Sequence, residues 1–159
     1  MATIAASAGV SKALLHYHFS DRERLLAGVL THLGERLVER ERVALDGADG
    51  RRAVDALWRW TEHELALGEL RGLLELSLIR ETLVHEAAAA TGESRRRAAG
   101  RTVADLLTRL GLAPRVPAEL LGEAWVTFMN GLAADGLVSA TDPRVAFDVF
   151  WLAVLGLAE

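Results

Sequence analysis

The chain has 159 residues, 51% of them hydrophobic, with a formal net charge of −4 and no cysteine. That length fits one compact domain or a small module attached to a larger one, and that hydrophobic share predicts a buried core rather than disorder. The missing cysteine excludes a disulfide framework, a thiolate zinc site and a cysteine nucleophile, and the acidic balance gives the whole chain no basic footprint for nucleic acid. The opening MATIAASAGVSK lacks a basic region followed by an apolar one, so it does not read as a secretory signal. The longest apolar run, VFWLAVLGLA, is too short to span a bilayer. A soluble, cytoplasmic protein with no membrane partner is expected.

Ala, Leu, Arg and Glu dominate and β-branched alternation is nearly absent, so the fold class is all-α. Pro114, Pro117 and Pro143, with Gly47, Gly50, Gly92 and Gly111, punctuate the periodic stretches. In chain order the pattern predicts short helices over 2–8 and 11–18 and a long one over 21–45. Further helices are expected over 51–67, over a leucine-rich pair at 70–90 and 93–110, and over 118–139 and 143–158. LDGADG, residues 45–50, is the one clear interruption. Neither an internal repeat nor a low-complexity linker is seen.

The stretch GVSKALLHYHF, residues 9–19, gathers Lys12, His16, Tyr17 and His18 around a few apolar anchors. Ile4 and Ala5 begin a helix that ends near Ala8. Gly9 supplies the positive φ of a tight turn, Val10 fills the corner and Ser11 is suited to cap the next helix. Leu15 and Phe19 are four apart and form the inward stripe, which leaves Lys12, Ala13, Leu14, His16, Tyr17 and His18 outside it. SDRE, Ser20 to Glu23, has the pattern of a capping box opening the long helix, and it puts Arg22 in the first turn. The layout is that of a helix–turn–helix, which sets its second helix in the DNA major groove. Lys12, the chain's only lysine, and Arg22 and Arg24 against Asp21 and Glu23 give this end a net charge of just +1. The bland alternative is a capped helical pair whose histidines face water and whose Tyr17 covers an apolar edge.

TIAASAGVSKALLHYHFSDRERLLAGVL, within residues 1–30, resembles the DNA-binding end of TetR (tetracycline-repressor) family regulators. MNGLAADGLVSATDPRVAFDVF is similar to the family's penultimate helix, loop and final helix. The resemblance implies a partial helix–turn–helix domain over 1–30, running into a connecting helix, and a helical ligand-binding and dimerisation domain over 31–159. It implies a recognition helix from Ser11 to Tyr17, with Lys12, Ala13, Leu14, His16 and Tyr17 facing the groove and Tyr17, His18 and Arg22 on phosphates. Leu14 stands where many relatives carry a small or hydroxyl residue; leucine touches a thymine methyl but donates no hydrogen bond. Set against the family, residues 1–159 begin inside the first helix of the motif, so the head is expected to be incomplete. The function implied is a ligand-responsive repressor that binds an inverted-repeat operator in double-stranded DNA as a homodimer. The alternative is a helical ligand-binding, dimerising protein that does not bind DNA.

The resemblance also places Trp58, Trp60, Trp125, Phe128 and Met129 on helices around a cavity for a small apolar or amphipathic ligand, with His63, Arg80, His85 and Asn130 as polar candidates. The same tryptophans at helical spacing also suit plain core, and Arg80 and His85 suit a solvated face beside Glu81 and Glu86. Between Val145 and Ala158 the only charged side chain is Asp148, so the last helix is to be buried on more than one side. Either a partner subunit covers the second side or the helix is central to a monomeric bundle. For the partner reading the dimer interface is expected on Leu121, Trp125, Phe128 and Leu132, a stripe at helical spacing, and on Phe147, Phe150, Trp151 and Val154.

Catalysis finds no support in the residues. There is no Ser-His-Asp grouping in a recognisable context, no phosphate-binding glycine loop and no H-E-x-x-H. His63-Glu64 and His85-Glu86 are lone pairs, and His16 and His18, two apart, splay around a helix. No enzyme activity, metal or cofactor is expected.

Overall fold

Eight helices, and no strand, make up the part of the chain that the structure, a computed structural model, describes: residues 1–135 and 142–159, with Arg51 described by its backbone alone. In order they are α1 (Ala2–Ser7), α2 (Lys12–His18), α3 (Arg22–Leu45), α4 (Gly50–Leu67), α5 (Glu69–Ser77), α6 (Thr82–Arg109), α7 (Ala118–Asp135) and α8 (Pro143–Leu155). The all-α expectation holds. The last residues of the helix expected over 118–139, and the centre of the stretch resembling the family's final loop, lie outside the described residues.

Local chemistry starts most of these helices where the sequence indicates. Gly9 turns the chain at φ +67°, and the Ser11 side chain accepts the Leu14 amide at 3.0 Å. Asp49 and Asp142 cap α4 and α8 by accepting the amides of Arg52 and Arg144, with Pro143 at the first position of α8. Beyond α8 the chain end is fastened to the α6–α7 connection, where Ala113 and Glu159 exchange backbone hydrogen bonds of 2.8 and 2.9 Å.

Two expectations are corrected. The helix start at residues 20–23 is capped by Asp21, whose carboxylate accepts the Arg24 amide at 2.8 Å, and not by Ser20. Glu23, expected to close a capping box, instead accepts the Leu83 amide at 2.6 Å and so caps α6, whose own first residues offer no side-chain cap. That long-range contact bears on the second correction. The break expected near Gly92 falls at residues 78–81, and α6 runs unbroken through Gly92 for 28 residues. Glycine inside a helix costs about 1 kcal/mol, less than packing along a long helix returns.

Two cores result. A small one under the head joins Ala5, Leu15 and Leu25, with Met1, Ile4 and Phe19 packed against it. The large one fills the body, with Trp125 at its centre. The Trp125 ring lies 5.5 to 6.4 Å, centroid to centroid, from Trp60, Phe128, Phe147, Phe150 and Trp151. Helices α6 and α7 approach to backbone contact, because a Cβ on Gly122 would collide with the Arg96 carbonyl and with Gly100.

Candidate nucleic-acid interface and sensor core

The head displays the side chains that the sequence singles out. Leu15 is buried and Phe19 half-buried, so α2 is held by its inward stripe. Ser11, Lys12, Ala13, Leu14, His16, Tyr17 and His18 are all exposed, Tyr17 at 84%, with the Tyr17 and His18 rings edge-on at 5.2 Å. A tyrosine this open, on a helix whose other face is fixed, is available to a partner. Arg22 has a role that local reasoning missed: its Nη1 donates to Glu81 Oε1 at 2.8 Å, and with the Glu23–Leu83 bond this ties the first turn of α3 to the start of α6.

The residues expected to wall a ligand cavity are divided. Trp125 and Met129 are buried in the core, while Trp58 is half-buried edge-on to Phe147, with the Arg144 guanidinium 5.2 Å above its ring. His63, Arg80 and His85 are exposed and do not join them. The space beside Trp60, Trp125 and Met129 is about 10 Å³, room for about one water.

Charged groups that the sequence reading missed border this space. Glu41 is buried and accepts a hydrogen bond from Trp125 Nε1 at 3.2 Å. Burial pushes its carboxyl up to about 7, against the pull of the Trp125 N–H, Arg95 and Thr102. Arg95 is equally buried and donates to Asn130 Oδ1 at 3.1 Å; burial draws its guanidinium down to about 10. Deeper, Glu64 is fully buried and takes both Nε and Nη2 of Arg40 at 2.6 Å. In the sequence Arg40 and Glu41 sit in LVERERVAL, Arg95 in SRRRAAG and Glu64 in TEHEL, and they look like a solvated face. The missed signal was position: Glu41 is four residues from Leu37 and from Leu45, both of which are buried.

The stripe expected at a dimer interface lies largely inside the chain. Leu121, Trp125, Phe147, Trp151 and Val154 are buried in the core, and Phe128 stacks on Phe150 at 4.4 Å within the same chain, both half-buried like Leu132. The apolar side chains that α8 leaves outside are Val145, Val149 and Leu152, 55 to 70% exposed and on one helical face. The helix is apolar on both sides, so periodicity alone did not tell its inner face from its outer one.

Among the described residues no group of three or more His, Asp or Glu side chains is placed to hold a metal, and no helix is long and apolar enough to cross a membrane.

An exposed second helix after a glycine turn, on an otherwise helical body, is the layout of a helix–turn–helix. Residues 1–29 match the family described as bacterial regulatory proteins, tetR family. The fold is similar to the crystal structure of a transcriptional regulator from Rhodococcus sp. Rha1, with 22% identity and a TM-score of 0.73 over 99% of this chain and 85% of that one. No curated protein matches the chain by sequence. The resemblance carried by GVSKALLHYHF is thus matched by the family model over residues 1–29, and the all-helical fold beyond it is similar to that of the Rhodococcus structure.

Proposed function

We propose that the protein is a ligand-responsive repressor that binds an inverted-repeat operator as a homodimer. The observation that carries this reading is the exposure of Lys12, Leu14, His16 and Tyr17 on α2 within the family-matched segment. Lys12, Ala13, Leu14, His16 and Tyr17 enter the major groove, and Tyr17, His18 and Arg22 meet phosphates. The outward face of α8, Val145, Val149 and Leu152, pairs with its copy and spaces two heads for successive grooves.

The sensing step follows from how full the interior is. A ligand seated between Trp60, Trp125 and Met129, near Glu41, Arg95 and Asn130, must push α3 and α6 apart to enter. Both helices meet the head at the Arg22–Glu81 and Glu23–Leu83 contacts, so separating them turns the head. The ligand acts by binding the opened arrangement more tightly than the closed one.

The test is selection of duplexes from a random pool by the protein, followed by fluorescence anisotropy. An inverted repeat should emerge, and Lys12→Ala and Tyr17→Ala should weaken its binding while leaving the helical content unchanged. Failure of any duplex to be enriched would sink the operator reading and favour a dimerising protein that does not bind DNA.

A further inference from the structure

Glu41 on α3 and Arg95 on α6 are 6% and 7% exposed, and both line the space of about 10 Å³ beside Trp125 and Met129. Groups of opposite charge buried so close together ordinarily pair. Here neither takes part in an ion pair among the described residues. Arg95 Nη2 donates instead to Asn130 Oδ1 on α7 at 3.1 Å, and the Glu41 carboxyl accepts the Trp125 indole N–H, also from α7, at 3.2 Å.

The groups that face Glu41 from each neighbouring helix set its charge. From α6 come Arg95, with Arg96 acting on it in turn, and the Thr102 hydroxyl; from α7 comes the Trp125 N–H. From α4 comes Glu64, whose like charge opposes ionisation and which is itself held by both Nε and Nη2 of Arg40. Glu69 of α5 meets the same Arg40 at 2.8 Å, and Arg42, next along α3, is taken by Glu39. A carboxyl removed from water with no cation in contact keeps its proton. Arg95 then meets no acceptor stronger than an amide oxygen. Ionisation reverses the balance, because a carboxylate binds a guanidinium more strongly than an amide does and the pairing compensates two buried charges at once.

We propose that Arg95 is a two-position switch worked by the Glu41 proton: it bonds Asn130 while Glu41 is neutral and transfers to Glu41 once the carboxyl is ionised. The proton leaves to solvent and Arg95 stays charged in both positions. The transfer exchanges an α6–α7 bond for an α3–α6 bond, so the proton decides which helices are fastened together. The same two helices, α3 and α6, meet under the head at the Arg22–Glu81 and Glu23–Leu83 contacts. The switch does not depend on whether the protein binds an operator.

The experiment is proton–nitrogen correlation NMR of the full chain, titrated from about pH 5 to about pH 8. Asn130 is the only asparagine and there is no glutamine, so its side-chain NH2 gives the one carboxamide signal in the protein. That signal and the Trp125 indole N–H should shift together, with one midpoint near pH 7. In Glu41→Gln both should hold still, while the exposed histidines titrate as before. In Arg95→Met, which keeps a stem of similar length and removes the donors, Trp125 should still shift and Asn130 should not. A Trp125 shift without an Asn130 shift in the unmodified chain would mean that Glu41 ionises and Arg95 stays where it is, which overturns the proposal. So would shifts in neither signal, shifts that persist in Glu41→Gln, or an Asn130 shift that survives Arg95→Met. None of these readings involves DNA, so failure of the switch and failure of the operator reading are distinguishable.

Discussion

Arg22 Nη1 meets Glu81 Oε1 at 2.8 Å across 59 residues of sequence, joining the first turn of α3 to the start of α6. Both side chains are about half exposed, so the pair contributes at most about 1 kcal/mol to stability. Its larger effect is on what Arg22 can do elsewhere. A guanidinium held by a carboxylate is less available to a phosphate, so under the proposed function Glu81 would compete with DNA for it. Glu81→Gln should therefore tighten binding to the selected duplex by a few-fold and steepen the slope of log K against log salt by about 0.9, the increment for one more phosphate contact. In an Arg22→Ala background the same substitution should change nothing. Anisotropy titrations at several salt concentrations check both outcomes.

The outer face of α8 supports a second expectation. Val145, Val149 and Leu152 form an exposed apolar strip, which monomeric surfaces seldom keep contiguous. A charge at Leu152, 70% exposed, leaves the chain's own core untouched but, in the proposed dimer, would oppose its copy across the two-fold axis. Leu152→Arg should yield a monomer by sedimentation velocity and the unmodified protein a dimer, with an unchanged helical circular dichroism spectrum. A monomer with a single head should also lose most of its affinity for an inverted repeat.

How much was legible in the sequence depended on the range of the interaction. Gly9, Ser11 and Pro143 act on neighbours within a few residues, and the turn and caps they make were readable directly. The break between α5 and α6 was not, because its fastening comes from Arg22 and Glu23, some sixty residues upstream. Gly92 looked like punctuation because nothing local shows that α6 packs along its length. The exposed face of α2 was readable since Leu15 and Phe19 fix the inward side, whereas the two faces of α8 are both apolar and size does not separate them cleanly, since Val154 is buried while Val149 and Leu152 are exposed. Phe147 and Trp151 fill the interior, and the smaller Val145, Val149 and Leu152 lie outside. Glu41 and Arg95 were hidden for another reason. A charged residue among charged neighbours reads as solvated until a tryptophan from a distant helix is found bonded to it.

The α6–α7 crossing gives a third expectation. Gly122 has no space for a side chain, since a Cβ there would collide with the Arg96 carbonyl and the Gly100 backbone. Backbone atoms cannot swing aside as a side-chain end does, so the two helices must separate. Gly122→Ala should destabilise the fold by about 1–3 kcal/mol despite alanine's better helix propensity. Leu120→Ala, at a 59% exposed position on the same helix, should cost well under half as much. Urea melts followed by circular dichroism separate the two.

Glu41 makes stability depend on pH in a direction opposite to that of an ordinary paired carboxylate. Its carboxyl titrates at about 7 in the folded chain against 4.5 for the unperturbed group, because burial disfavours the charged form more than the Trp125 N–H and Arg95 favour it. The folded state therefore holds this proton more tightly than the unfolded state does. The stability it supplies is fully present below about pH 4.5 and is lost as pH rises through about 7. Between pH 5 and 8 the loss amounts to about 2–3 kcal/mol. Glu41→Gln keeps an oxygen to accept the Trp125 N–H and cannot ionise, so it should remove this dependence. The surface carboxylates of Asp21, Glu39 and Glu93 are held below their ordinary range by hydrogen bonds and push the other way at lower pH, but they do so equally in both proteins. The measurement is therefore the difference in unfolding free energy between the unmodified chain and Glu41→Gln across that window. The unmodified chain should lose ground steadily as pH rises, and a difference that stays flat would mean that Glu41 is charged throughout.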